Sequence, residues 1–125
     1  MLAIGLLLAG CASTTQPSGT PISIAASASA AATPVTVTMP LNADNVPIFS
    51  QQELTVSVGD TVTFENDSTI PHTVTNGQDG EAAADAQFDE DVPTGESVEI
   101  AFEEAGDVNV TCKLHPEMNM VVHVL

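Results

Sequence analysis

Leu54-Thr55-Val56-Ser57-Val58-Gly59-Asp60-Thr61-Val62-Thr63-Phe64-Glu65 decides the fold class. Leu54, Val56 and Val58 alternate with Thr55 and Ser57. Gly59-Asp60 turns the chain, and Val62 and Phe64 then alternate with Thr61, Thr63 and Glu65. In an extended chain successive side chains point to opposite faces, so this period of two gives each half one apolar face and one polar face. The Gly-Asp step supplies the turn chemistry between them.

The same pattern extends outward. Upstream, Val35, Val37 and Met39 alternate with Thr36 and Thr38. Downstream, Val98, Ile100 and Phe102 alternate with Ser97, Glu99 and Ala101. Ala105-Gly106-Asp107 turns into Val108, Val110 and Cys112, and the chain ends on Val121, Val122, Val124 and Leu125. Short Val- and Thr-rich runs punctuated by Gly and Asp predict an all-β sandwich or barrel over residues 35–125. No stretch of that region has helical periodicity. Asn76 to Gln87, with Gly77, Gly80 and Ala82 to Ala84, reads as an irregular insertion or short helix. The acidic triplet Asp89-Glu90-Asp91 reads as a solvated surface turn, because it lacks the ordered ligand loop of a hard-cation site.

The chain has 125 residues, enough for one small domain with its own core. Tyr and Trp are absent, so Val, Ile, Leu and Phe must fill that core. Seventeen acidic residues stand against one base, Lys113, for a net charge of −16. Such a surface repels nucleic acid and anionic lipid. It favours a protein partner with a basic docking surface, reached by electrostatic steering. A plain solvated acidic coat is the alternative reading. The chain is read as a monomer.

The N-terminus reads as an address. Residues 1–10, MLAIGLLLAG, form an apolar run too short to span a bilayer, which takes ~20 residues. Leu8-Ala9-Gly10-Cys11 resembles a bacterial lipoprotein lipobox, which implies cleavage before Cys11 and diacylglycerol on its sulfur. No Lys or Arg precedes the run, unlike most secretory signals. The following residues, up to Pro34, are mostly small or polar and carry no charge. They read as a disordered tether, so that residues 11–34 form a lipidated linker with an average reach of ~25 Å. The expectation is an exported protein, lipid-anchored to the outer face of the cell membrane or in the periplasm.

Cysteine arithmetic points the same way. With Cys11 lipidated, Cys112 is left unpaired in an oxidising compartment, and metal ligation would protect its thiolate. Cys112-Lys113-Leu114-His115-Pro116-Glu117-Met118-Asn119-Met120 places a thiolate, an imidazole and a thioether close together. These donors suit copper. A second imidazole must come from elsewhere. His72, in Ile70-Pro71-His72-Thr73-Val74, follows the Phe64 strand and can close the site where loops meet at one end of a sandwich. Two His and one Cys in a plane, with a weak axial Met, is the blue-copper pattern. His123 alternates with Val122 and Val124 and is read as solvent-facing.

At this point the sequence resembles the cupredoxins of the plastocyanin, amicyanin and halocyanin group. The resemblance runs through Val58 to Phe64, Pro71-His72-Thr73-Val74, Phe88-Asp89 and Pro93 to Ser97. It continues through Phe102 to Gly106 and ends on Cys112, His115-Pro116 and Met118. It implies a Greek-key β-sandwich of about eight strands and a one-electron carrier with one copper ion. It further implies that His115 reaches the surface as the electron port and that Thr73 bonds toward the Cys112 sulfur. The shorter loop pattern, His-Pro-x-Met, selects Met118 as axial ligand; the longer Cys-x2-His-x4-Met selects Met120. Met118 is preferred and Met120 is the alternative. A protein for copper storage or delivery is the competing function. A redox enzyme is disfavoured, since nothing in the chain supplies a second metal cluster, a nucleophile triad or a nucleotide loop.

Overall fold

The computed structural model describes residues 34–125. The expected signal peptide, Cys11 and all but the last residue of the tether lie outside the described residues. Nine strands make up the described chain, with no helix among them. They are β1 (Val35–Thr38), β2 (Glu53–Val56), β3 (Asp60–Glu65), β4 (His72–Gln78), β5 (Glu81–Ala82), β6 (Asp89–Val92), β7 (Ser97–Phe102), β8 (Gly106–Cys112) and β9 (His115–Val124).

Two sheets share one core. The smaller has the order β1-β3-β7, and the larger runs β2-β9-β8-β4-β5, with β6 also paired to β4. The chain crosses repeatedly from one sheet to the other, as a sandwich requires. Gly59 makes one such crossing. With φ of +92° it adopts a conformation that favours glycine, in a turn closed by Asp60 N–H donating to the Ser57 carbonyl at 3.0 Å. The two alternating runs on either side of it therefore belong to different sheets: β2 pairs with β9, and β3 pairs with β1 and β7.

The alternation becomes burial. Val62 and Phe64 of β3, and Ile100 and Phe102 of β7, face inward. They meet Val74, Val110, Val122 and Val124 from the larger sheet. Phe49 packs edge-on against Phe64 at 6.2 Å between ring centroids, and Phe88 likewise against Phe102 at 5.8 Å.

Two segments depart from the sequence-based expectation. Asn76 to Gln87 holds no helix, and it is irregular only from Ala83 onward. It continues β4, turns and returns as β5, with Gln78 opposite Glu81. Asp79 and Gly80 have φ of 53° and 81°, the doubly positive geometry of a two-residue hairpin turn that Asp-Gly favours. This short hairpin arm is what takes the strand count to nine. Asp89-Glu90-Asp91 is strand rather than turn: β6 pairs antiparallel with β4, placing Asp91 opposite Thr73 and Asp89 opposite Thr75.

Candidate metal centre

Cys112 ends β8 and His115 begins β9, with the two-residue turn Lys113-Leu114 between them. The two residues are direct cross-strand partners, so their side chains leave the same face. The pairing of β4 with β8 brings in the second histidine. Thr75 lies opposite Thr111, and the same antiparallel register carried toward the turn sets His72 on the face of Cys112. Strand pairing thus closes a separation of forty residues in sequence.

The three donor atoms form a triangle. His72 Nδ1 and His115 Nδ1 are 3.2 Å apart, and Cys112 Sγ is 3.9 Å from the first and 3.5 Å from the second. The point equidistant from all three lies about 2.1 Å from each, within the ~2.0–2.3 Å of bonds from a comparable metal to imidazole nitrogen and thiolate sulfur. The residues therefore fit one metal ion without rearrangement. Among the described residues, His72, Cys112 and His115 are the one group of three His, Cys or acidic side chains gathered closely enough to hold one.

Cys112 and His72 are held by their neighbours. The Thr73 N–H donates to Cys112 Sγ at 3.2 Å, and Cys112 is fully buried. His72 is also buried, and its ring is oriented by residues that the sequence reading missed. Ser68 Oγ lies 2.7 Å from Asn66 Oδ1 and 3.0 Å from the Ile70 carbonyl, both of which can only accept. The hydroxyl proton is committed there, so the 2.9 Å contact between Ser68 Oγ and His72 Nε2 must take its proton from the ring. That assignment leaves the Nδ1 lone pair free to face Cys112. Asn66 is itself anchored, its amide donating to the Ile70 and Val92 carbonyls at 2.9 Å. Burial, then the neighbouring His115, pushes the His72 pKa below its ordinary value, partly opposed by Asp67. This favours the neutral imidazole that a metal needs. The one available signal for Asn66 and Ser68 was a polar Asn-Asp-Ser cluster just before the Pro71-His72 step.

We expect Ser68→Ala to loosen copper roughly tenfold or more, the usual cost of losing a partner that orients a ligating His. Competition with a chelator measures this; an unchanged affinity would leave Ser68 a loop residue and no more.

Met118 and Met120 both lie within β9, which begins at His115, and both are buried. Met120 is the cross-strand partner of Val110, and Asn119 of Thr111. At Cys112 the register shifts, so that Pro116, Glu117 and Met118 are extra residues arching past the end of β8. Met118 is the inward-facing residue of that arch, and its carbonyl accepts from Thr111 Oγ1 at 3.2 Å. The β4–β5 hairpin braces the arch from outside. Gly80 N–H donates to Thr111 Oγ1 at 2.9 Å and Asp79 N–H to Asn119 Oδ1 at 2.8 Å. A Cβ on Gly80 would come within 2.9 Å of the Pro116 ring.

His123 stays away from this cluster. It is part-exposed and bonds Asp107 at 2.7 Å, which raises its pKa above the ordinary value. The folded chain holds this proton more tightly than the unfolded one. The resulting stabilisation is present below about pH 6.5 and fades as pH rises through the folded-state pKa. Replacing His72 by Ala is expected to weaken copper binding and alter its spectrum, while His123→Ala leaves both unchanged. Equal effects of the two substitutions would contradict the geometry.

A β-sandwich whose strand ends gather one thiolate and two imidazoles around a single point defines a cupredoxin-type copper protein. The family model for copper binding proteins of the plastocyanin/azurin family matches residues 35–125, and the chain belongs to that family. Copper is its cofactor, and the donor triangle has room for one ion. Similar solved structures include a purple cupredoxin from Nitrosopumilus maritimus, at 26% identity and a TM-score of 0.62, covering 73% of this chain and 99% of that one. The reduced Cu(I) form of an amicyanin mutant is 28% identical with a TM-score of 0.60, covering 78% of this chain and 88% of its own. A Cu-containing nitrite reductase from Thermus scotoductus SA-01 is 25% identical with a TM-score of 0.57, over 74% of this chain and 22% of the enzyme's. A comparison with curated proteins finds no match.

Proposed function

We propose that the chain is a type 1 copper protein acting as a one-electron carrier, not an enzyme, in which His72, Cys112, His115 and Met118 would hold the ion. The observation that carries this is the donor triangle, already shaped for one ion and held by buried hydrogen bonds. Copper bound there supplies a one-electron couple between Cu(I) and Cu(II). The protein's part is to keep the donors still. The Thr73 N–H on the sulfur stabilises thiolate charge, and the Ser68 contact fixes the ring of His72. A site that does not reshape between oxidation states exchanges electrons with little reorganisation.

His115 is the natural electron port. It is half-buried where Cys112 and His72 are buried, and Leu114 beside it exposes 54% of its surface. Around this apolar spot the acidic chain steers basic redox partners. The N-terminal sequence adds export and a membrane tether through lipid on Cys11. A carrier so tethered would work on the outer face of the cell membrane or in the periplasm, within reach of membrane-bound redox partners.

Voltammetry of the copper-loaded protein tests the carrier reading: a reversible one-electron wave is expected. Electron transfer to a basic partner should slow as salt rises, because the screening length shrinks to ~8 Å at 0.15 M. A rate that is flat or rises with salt would assign the acidity to solubility instead. Rapid loss of copper to a competing acceptor, with no reversible wave, would favour storage or delivery. Mass spectrometry of membrane-extracted protein should find a diacylated Cys11.

A further inference from the structure

Lys113 is the chain's one base, and it sits between two of the metal donors. Both ends of the residue are tied. Its main-chain N–H donates to Thr73 Oγ1 at 2.8 Å, and its Nζ donates to Asp89 Oδ2 at 2.6 Å. Between those two acceptors the polar atoms are continuous. Thr73 Oγ1 is 3.0 Å from Thr75 Oγ1, and Thr75 Oγ1 donates to Asp89 Oδ1 at 2.9 Å. The directions follow from the chemistry. A carboxylate accepts only, so the one proton of Thr75 goes to Asp89. The Thr75 oxygen then accepts from Thr73, whose own oxygen accepts the Lys113 amide. The bonds run head to tail from the Lys113 backbone through Thr73 and Thr75 to Asp89, where the Lys113 side chain donates to the other carboxylate oxygen and closes the ring.

This ring joins three elements at the site: β4 through the two threonines, β6 through Asp89, and the β8–β9 turn through Lys113. An exposed ion pair by itself contributes little, and these two side chains are 37% and 42% exposed. Here the pair closes a circuit whose other members, Thr73 and Thr75, are buried. Opening a link at Thr73 or Thr75 leaves a buried hydroxyl without its partner, and opening the ion pair weakens the bonds next to it. The hydrogen bonds from Lys113 and then Thr75 hold the Asp89 carboxyl below the usual range, keeping it an acceptor.

We propose that Thr75, Asp89 and the Lys113 side chain are positioning residues for the copper centre, fixing the backbone of the two-residue turn and so the placing of Cys112 and His115 against His72. The proposal rests on the copper reading of that site. None of these three groups contacts a donor atom by hydrogen bond; the ring acts through Thr73, which bonds the Cys112 sulfur from its own backbone N–H.

The test compares Thr75→Val, Asp89→Asn and Lys113→Gln with the wild type. Each should speed copper release to a chelator by roughly tenfold, the worth of one charge-assisted hydrogen bond. Each should also move the sulfur-to-copper absorption band in the same direction. The double variant Asp89→Asn/Lys113→Gln should resemble either single one, since one open link opens the ring. A purely Coulombic effect would instead have opposite signs in Asp89→Asn and Lys113→Gln, one removing a negative charge and the other a positive one. Opposite signs, additive effects, or a lowered Tm with an unmoved band and release rate would overturn the proposal. If Thr75→Val does not fold, the two exposed positions decide alone. In metal-free protein the Lys113 amide should exchange its proton slowly, and roughly tenfold faster in Asp89→Asn; equal exchange also overturns the ring. A wild type that takes up no copper defeats the copper reading, while amide exchange still judges whether the ring fixes the turn.

Discussion

Cys112→Ser is expected to abolish the visible colour of the Cu(II)-loaded protein and to weaken copper binding by more than ~100-fold. The band arises from charge transfer between a thiolate sulfur and the metal, and no other thiol is present among the described residues. Loss of an orienting neighbour costs a metal site ~10–100-fold, so loss of a donor must exceed that. The substitution is close to isosteric, and a serine oxygen can still accept from the Thr73 N–H that now bonds the sulfur at 3.2 Å. The fold should therefore persist, and circular dichroism of the variant should match the wild type. Visible titration with Cu(II) decides the outcome: retained colour in Cys112→Ser, or a colourless wild type, removes the sulfur from the site. The same measurement separates ligation from burial. Cys112 belongs to the hydrophobic core by its surroundings, and a merely buried thiol would be lost without any change in metal binding.

What the sequence reveals is the part of the molecule governed by local period and local spacing. Val62 and Phe64 are inward because strands alternate, and Cys112 and His115 converge because two intervening residues make a tight turn. What it conceals is the part that depends on who lies across the strand. Leu54 to Glu65 reads as two strands and a turn, but nothing local says that the halves join different sheets. The hairpin at Asp79-Gly80 carries its signal in that dipeptide. Its paired residues, however, are Gly77, Gln78, Glu81 and Ala82, which lack the β-branched alternation that marks the longer strands. Asp89 is a clearer case. Three consecutive acids look like solvated surface, and their side chains are indeed exposed. The role of Asp89 depends on Thr75, fourteen residues before it, and Lys113, twenty-four after it, brought together by sheet pairing alone. Asn66 and Ser68 were hidden for another reason: polar residues in a loop before a proline are common, and only the buried His72 ring gives them work.

The same cross-strand logic separates the two methionines. Met118→Leu is expected to raise the reduction potential by an amount on the order of 60 mV, one tenfold change in relative affinity for the two oxidation states of a one-electron couple. Met120→Leu should leave it unchanged. Both side chains point inward from β9, so burial does not choose between them. Position does. Met120 is locked opposite Val110, two residues before Cys112 on β8, and strands advance ~3.4 Å per residue. Met118 therefore starts roughly 7 Å nearer the Cys112 end, on the arch created by the register shift. The direction of the change follows from the chemistry of the axial position. Taking away a sulfur donor and leaving a hydrocarbon removes coordination that Cu(II) needs more than Cu(I), and makes the surroundings less welcoming to the higher charge. Exchanging Met for Leu preserves volume and should cost under ~1.5 kcal/mol at either position, so both variants should fold. Voltammetry of the pair gives the answer directly. A shift in Met118→Leu alone assigns the axial ligand to Met118. A shift in Met120→Leu alone would mean that the chain follows the longer His-x4-Met spacing and that the arch at Pro116 to Met118 serves to reach past the site rather than to close it.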